Sequence, residues 1–135
     1  MADRDEFIAW VEGPLRDAEI ALHNGDPAPR RALWSTREPV SVLGAWRNAI
    51  GQSEIDQLFA YLGESFSNCT AFRYEFLSSA VVGEMAYTVC LEHTSVSIDG
   101  NPSSYTLRVT QVYRREDGNW RVAHRHGDAG ARDKP

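Results

Sequence analysis

Cysteine is scarce in this chain: only Cys69 and Cys90 occur. Two cysteines without metal-ligand spacing give no zinc signature, and in a cytosolic chain they read as reduced thiols. Cys90 falls in the middle of an expected strand, where a small buried thiol is the ordinary reading. Long apolar runs are also missing. None approaches the roughly 20 residues that a helix needs to span a bilayer. The first residues, Met1-Ala2-Asp3-Arg4-Asp5-Glu6, are acidic and lack the apolar stretch of a signal peptide. The expectation is a cytoplasmic protein that does not contact membrane. A basic stripe is absent too. Net charge is −5, and the late arginines alternate with Glu116, Asp117 and Asp128, so nothing points to nucleic acid. There is no nucleophile elbow and no glycine-rich phosphate loop, which argues against acyl-enzyme and nucleotide chemistry. Nothing in the pattern asks for a metal or another cofactor. Repeats, low-complexity tracts and linkers do not occur.

What the chain does have is enough apolar material for one packed domain over residues 1–135: 42% of its residues are hydrophobic. Phe7, Val11, Leu15, Ala18 and Leu22 recur at helical spacing, with Gly13-Pro14 predicted to bend or split the helix. Asn24-Gly25 ends it, and a short second helix is expected from Pro29 to Trp34. Val40 to Trp46 reads as a first strand. Ile55, Leu58, Phe59, Leu62 and Phe66 form the stripe of a third helix, with Ser53 as N-cap. Beyond Cys69 the chain turns to sheet. Strands are expected over residues 71–82 and 85–98, a turn at Asp99-Gly100-Asn101-Pro102, and a closing hairpin. Residues 130–135 read as a loose polar tail. This order predicts an α+β fold with helices on one face of a mostly antiparallel sheet.

The closing hairpin is the most informative stretch. Asp117-Gly118 between two β-rich runs is a strong short hairpin signal. Strict alternation puts Trp120, Val122, His124 and His126 on one face and Arg121, Ala123 and Arg125 on the other. The expectation is that the first set faces the helices, so that an apolar core grades into a pocket at the two histidines.

The run Tyr113-Arg114-Arg115-Glu116-Asp117-Gly118-Asn119-Trp120-Arg121-Val122-Ala123-His124-Arg125-His126-Gly127-Asp128 resembles the closing hairpin of the NTF2-like superfamily, nearest its SnoaL-like and ketosteroid-isomerase-like branch. Leu33-Trp34-Ser35 and Glu38-Pro39-Val40-Ser41-Val42-Leu43-Gly44-Ala45-Trp46 are similar to the first-strand region of that branch. The similarity spans roughly Glu6 to Asp128. It implies a cone: helices closing a curved sheet around a pocket, commonly in a homodimer. It does not name an activity, because the fold hosts isomerases, cyclases, dehydratases, hydrolases and non-enzymatic modules.

On these grounds the catalytic candidates are Glu38, His124 and His126. Histidine titrates near neutral pH and serves as acid, base or ligand; the bland alternative is hydrogen bonding within the sheet. Glu38-Pro39-Val40 resembles the Asp-Pro-Val stretch that carries the base of ketosteroid isomerases. Its bland alternative is a loop cap. His124 is the expected partner of Glu38. The ligand-binding candidates are Trp34, Trp46, Tyr74, Glu92, Arg108 and Asp128. The aromatics suit a flat apolar ligand with a polar edge, or else a core or interface. Arg108 either meets a pocket acid, Glu92 or Asp128, or lies exposed on its strand. Three readings follow: cofactor-independent acid–base chemistry on a small apolar molecule, a non-catalytic binding module, or a dimeric scaffold.

Overall fold

A single proline shapes the N-terminal helix. The structure, a computed structural model, describes residues 2–130, and the expected tail at 131–135 lies outside them. Helix α1 (Ala2–Trp10) runs through a π-helical turn (Val11–Leu15) into α2 (Arg16–Leu22). Pro14 has no N–H to donate one turn back, and the widened turn absorbs the missing bond without ending the helix. The stripe Phe7, Val11, Leu15, Ala18 and Leu22 is therefore continuous and buried. Helix α3 (Ala28–Leu33) follows, and α4 (Gln52–Ser65) buries Ile55, Leu58, Phe59 and Leu62. The N-cap of α4 is Gly51, not Ser53, and Glu38 accepts the N–H of Gln52 at 2.9 Å.

Six strands form one curved sheet in the order β2-β1-β6-β5-β4-β3. They are β1 (Ser41–Leu43), β2 (Asn48–Ile50), β3 (Phe66–Val82), β4 (Met85–Ile98), β5 (Asn101–Glu116) and β6 (Asn119–Asp128). Among the described strand pairs β1–β6 alone is parallel, extended by an isolated parallel bridge between Trp34 and Val122. The predicted first strand from Val40 to Trp46 is in fact β1 and a turn leading into β2. That turn needs Gly44, because a Cβ there would sit 2.5 Å from the carbonyl oxygen of Arg47. The β5–β6 hairpin closes at Asp117-Gly118, both with positive φ (52° and 79°), as the Asp-Gly signal predicts.

The helices cover one face of the sheet. On β4 the covered row is Ala86, Thr88, Cys90, Glu92, Thr94 and Val96; on β5 it is Leu107, Val109, Gln111 and Tyr113. On β6 strict alternation fails. The ladder pairs Tyr113 with Val122 but Val112 with His124, so Ala123 is an extra residue in a bulge. A bulge of one residue reverses every later side chain. Trp120 and Val122 face the helices, as predicted. After the bulge Arg125 and Gly127 do so, while His124 and His126 turn to the outer face. The expected inward histidines and outward Arg125 are thus corrected by a single residue.

Candidate functional site

The bulge places Arg125 beside Gln111 and diagonally across from Glu92, in the middle of the covered face. The Arg125 guanidinium grips Glu92 with two hydrogen bonds of 2.8 Å and donates a third, of 3.1 Å, to Gln111 Oε1. Gln111 Nε2 donates to the Tyr113 hydroxyl at 2.6 Å, and that hydroxyl shares a 2.8 Å hydrogen bond with Thr88. Each member of this network is buried. Burial alone would raise the pKa of Glu92, but the charge of Arg125 and its hydrogen bonds outweigh it and hold the carboxyl below its ordinary 4.5. Burial acts downward on Arg125, and Glu92 more than reverses it.

A second buried pair comes down from the helices. Glu19 lies four residues after Leu15 and three before Leu22, on the buried side of α2, and Arg30 enters from α3. Both are at most 4% exposed. Arg30 Nε lies 3.3 Å from Glu19 Oε2, yet neither atom has a hydrogen-bond partner. The guanidinium rests on the ring of Phe59, 4.6 Å from its centroid. His23, also buried, stacks on Phe66 at 4.5 Å. Its Nδ1 lies 2.6 Å from the carbonyl oxygen of Glu19. A carbonyl only accepts, so Nδ1 carries the proton and Nε2 presents a lone pair. Burial, reinforced by Arg30, lowers the pKa of His23 below 6.5 despite Glu19, so the ring is neutral at neutral pH.

Glu19, His23, Arg30, Glu92, Tyr105 and Arg125 line one cavity, with apolar wall from Leu22, Val42, Leu58 and Leu62. Its volume of about 40 Å³ is room for a few waters. Trp46 and Arg47, on the turn between β1 and β2, stand at the rim. Trp46 packs edge-on against Phe66 and Tyr105. The hydroxyls of Tyr74 and Tyr105 are buried without a partner, and burial raises the pKa of both. They stay protonated, each with an O–H that has no acceptor among the described residues.

Of the residues singled out from sequence, Glu92 and Trp46 line this cavity. The Tyr74 hydroxyl is buried near the cluster, within reach of its charges. Trp34 is core, edge-on to Phe59. Glu38 is exposed; it accepts from the Val40 and Gln52 amides and caps α4, making no hydrogen bond to His124. His124 instead meets the Ser41 hydroxyl at 2.7 Å on the outer face, where burial and His126 lower its pKa. His126 is exposed nearby. Arg108 and Asp128 form an exposed bidentate pair at 2.8 and 3.1 Å on that same outer face, away from the cavity. Among the described residues no group of three or more His, Cys, Asp or Glu is placed to hold a metal.

Sequence reasoning missed Glu19, His23, Arg30, Gln111 and Arg125. For Glu19 a signal existed: a carboxylate inside an apolar helical stripe. Gln111 carried the same kind of signal, flanked at alternate positions by Val109 and Tyr113. Arg125 gave none, because the bulge is invisible in the residue pattern.

No match is found among curated proteins. Among solved structures the chain is similar to an NTF2-like superfamily protein from Salmonella enterica (21% identity, 90% of this chain and 89% of that one, TM-score 0.75). It is also similar to a ketosteroid isomerase-like protein from Erwinia carotovora (15% identity, 92% and 96%, TM-score 0.71). An NTF2-like protein from Cytophaga hutchinsonii matches at 15% identity over 96% and 100%, with TM-score 0.72. These likenesses establish the fold. The family model for the SnoaL-like domain matches residues 15–129, which contain both buried ion pairs, His23 and the whole cavity, and the chain belongs to that family.

Proposed function

We propose that this chain is a cofactor-independent acid–base catalyst acting on a small, largely apolar molecule held in the cavity. The carrying observation is His23: a buried, neutral imidazole whose tautomer is fixed by the Glu19 carbonyl and whose other nitrogen makes no hydrogen bond among the described residues. Such a group accepts a proton without first losing one. The unpartnered hydroxyl of Tyr105 and the N–H groups of Arg30 share the cavity with it, and they suit an oxygen on which charge develops. A proton leaves carbon next to a carbonyl for His23 Nε2, and the electron pair moves onto the carbonyl oxygen. The imidazolium then returns the proton at a second carbon. The ketosteroid isomerase-like neighbour makes this class of reaction a reasonable first test.

The test is conversion of cyclohex-3-enone to cyclohex-2-enone, followed by ultraviolet absorbance. Turnover is expected, and His23→Gln should lower it by about 10²–10⁴, the usual share of a positioned base. Undiminished turnover in that variant removes His23 from the mechanism. Saturable binding without turnover leaves a binding module in its place.

We also propose a homodimer formed through the outer face of the sheet. Leu77, Val82, Met85 and Tyr87 are exposed there on β3 and β4, an apolar surface that a second copy would cover. Light scattering should give twice the chain mass of 15.1 kDa; a mass of one chain at micromolar concentration ends this proposal.

A further inference from the structure

The two buried ion pairs differ in a way that bears on ligand choice. Arg125 spends its donors on Glu92 and Gln111. Arg30 makes no hydrogen bond among the described residues, though it is 4% exposed and lines the cavity. Its charge is nonetheless balanced, because Glu19 lies 3.3 Å away, equally buried. Donors without acceptors favour a ligand oxygen. A balanced charge does not favour an anion, which would shed its water to meet a cation already neutralised. The rest of the buried wall agrees: the Glu92–Arg125 pair is balanced and the His23 ring brings no charge, while the remaining charge in the lining, Arg47, is exposed at the rim with its guanidinium on the ring of Tyr61, 3.6 Å from the centroid.

We propose that the cavity selects uncharged molecules that present a hydrogen-bond-accepting oxygen at their buried end, that Arg30 receives this oxygen, and that Glu19 is the residue that turns carboxylates away. The inference rests on the cavity being the binding site. Glu19 thereby acts as a specificity residue through Arg30. Replacing it by Gln removes the balancing charge and leaves the guanidinium free to grip a carboxylate.

Three probes of one ring size separate the terms: cyclohexanone, methylcyclohexane and cyclohexanecarboxylate, titrated into the full chain by ligand-observed NMR. In the unaltered chain the ketone should bind tightest. In Glu19→Gln the carboxylate should gain about 10- to 100-fold relative to the ketone, the worth of a charge-assisted hydrogen bond. Equal binding of ketone and methylcyclohexane, or preference for the carboxylate in the unaltered chain, overturns the inference and leaves the pocket standing. An unchanged preference in a folded Glu19→Gln removes the role of Glu19. Should that variant fail to fold, the three probes on the unaltered chain decide. Binding of none of them overturns both the inference and the pocket as the functional site.

Discussion

The two faces of β6 carry similar chemistry in opposite settings. On the covered face Arg125 holds Glu92 through a bidentate contact, both nearly without solvent. On the outer face, three residues along, Arg108 also holds Asp128 through two hydrogen bonds, from Nε and Nη2, while both stay in water. The pairing is alike, but the dielectric is not. In water the two charges keep most of their hydration, and their contact adds little. Under the helices each charge has given up its hydration, and the partner is what makes that tolerable. Histidine shows the same contrast. His23 under the helices has one tautomer and a free lone pair; His124 outside shares a hydrogen bond with Ser41 beside solvent. Burial and unmet hydrogen-bonding capacity set the two faces apart, and residue type does not.

The largest expected effect that sharpens this comparison is at Arg125. Arg125→Met leaves Glu92 as a lone buried charge and should cost about 3–5 kcal/mol of stability in urea unfolding. A loss below about 1 kcal/mol would put the pair in the same class as a surface contact, and the contrast between the faces would fail. Gln111→Leu comes next. It strands one Arg125 donor and removes a donor to Tyr113, and it should cost about 1–3 kcal/mol, the usual penalty of an unmet buried polar group.

Much of the fold was legible because its signals are local. The stripe of α4, the exact span of β4 from Met85 to Ile98, and the Asp117-Gly118 turn each follow from periodicity or turn chemistry. The SnoaL-like resemblance found from the closing hairpin is upheld by the family match. The site was less legible, and for one physical reason. Side-chain parity on β6 depends on the extra residue Ala123, and a bulge is set by pairing with β5, not by the residues of β6 alone. One shifted residue moved both histidines out and Arg125 in. Glu38 failed for another reason: its two oxygens find the Val40 and Gln52 amides within the loop, so it needs no buried partner. Glu92 was singled out only as a possible acid for Arg108; its actual partner is Arg125, and the alternation of β4 that sets it on the inward row between Cys90 and Thr94 is the signal that was there to use.

Acid should act on the covered face in two pH windows. The folded-state pKa of His23 lies below 6.5, its ordinary value, because of burial first and Arg30 second. Between those values the unfolded chain binds more protons than the folded one, so stability falls as pH falls. The contribution is fully present above about pH 6.5 and is lost through the folded value. Glu92 follows the same sign in a lower window, with stability present above about 4.5 and lost below it. Thermal midpoints between pH 7.5 and 5 are therefore expected to drop in the unaltered chain and to drop less in His23→Gln. Equal slopes would mean that the imidazole gains a partner on protonation, and it would lose its standing as a neutral base.

The smallest effect is expected outside. Arg108→Ala breaks the bidentate contact with Asp128, whose carboxyl that guanidinium holds below its ordinary pKa, with help from the Gly130 amide. Asp128 keeps the Gly130 hydrogen bond and full access to water after the change, so no charge is stranded. Thermal midpoints at neutral pH should be unchanged within error, and binding of the cyclohexanone probe should be unchanged as well, since neither residue lines the cavity. The comparison is strict: the same kind of contact is cut as in Arg125→Met, with the opposite outcome. Loss of probe binding in Arg108→Ala would move the functional site to the outer groove that Arg108 shares with Thr110, His126 and Asp128. It would also return His126 to the list of chemical groups.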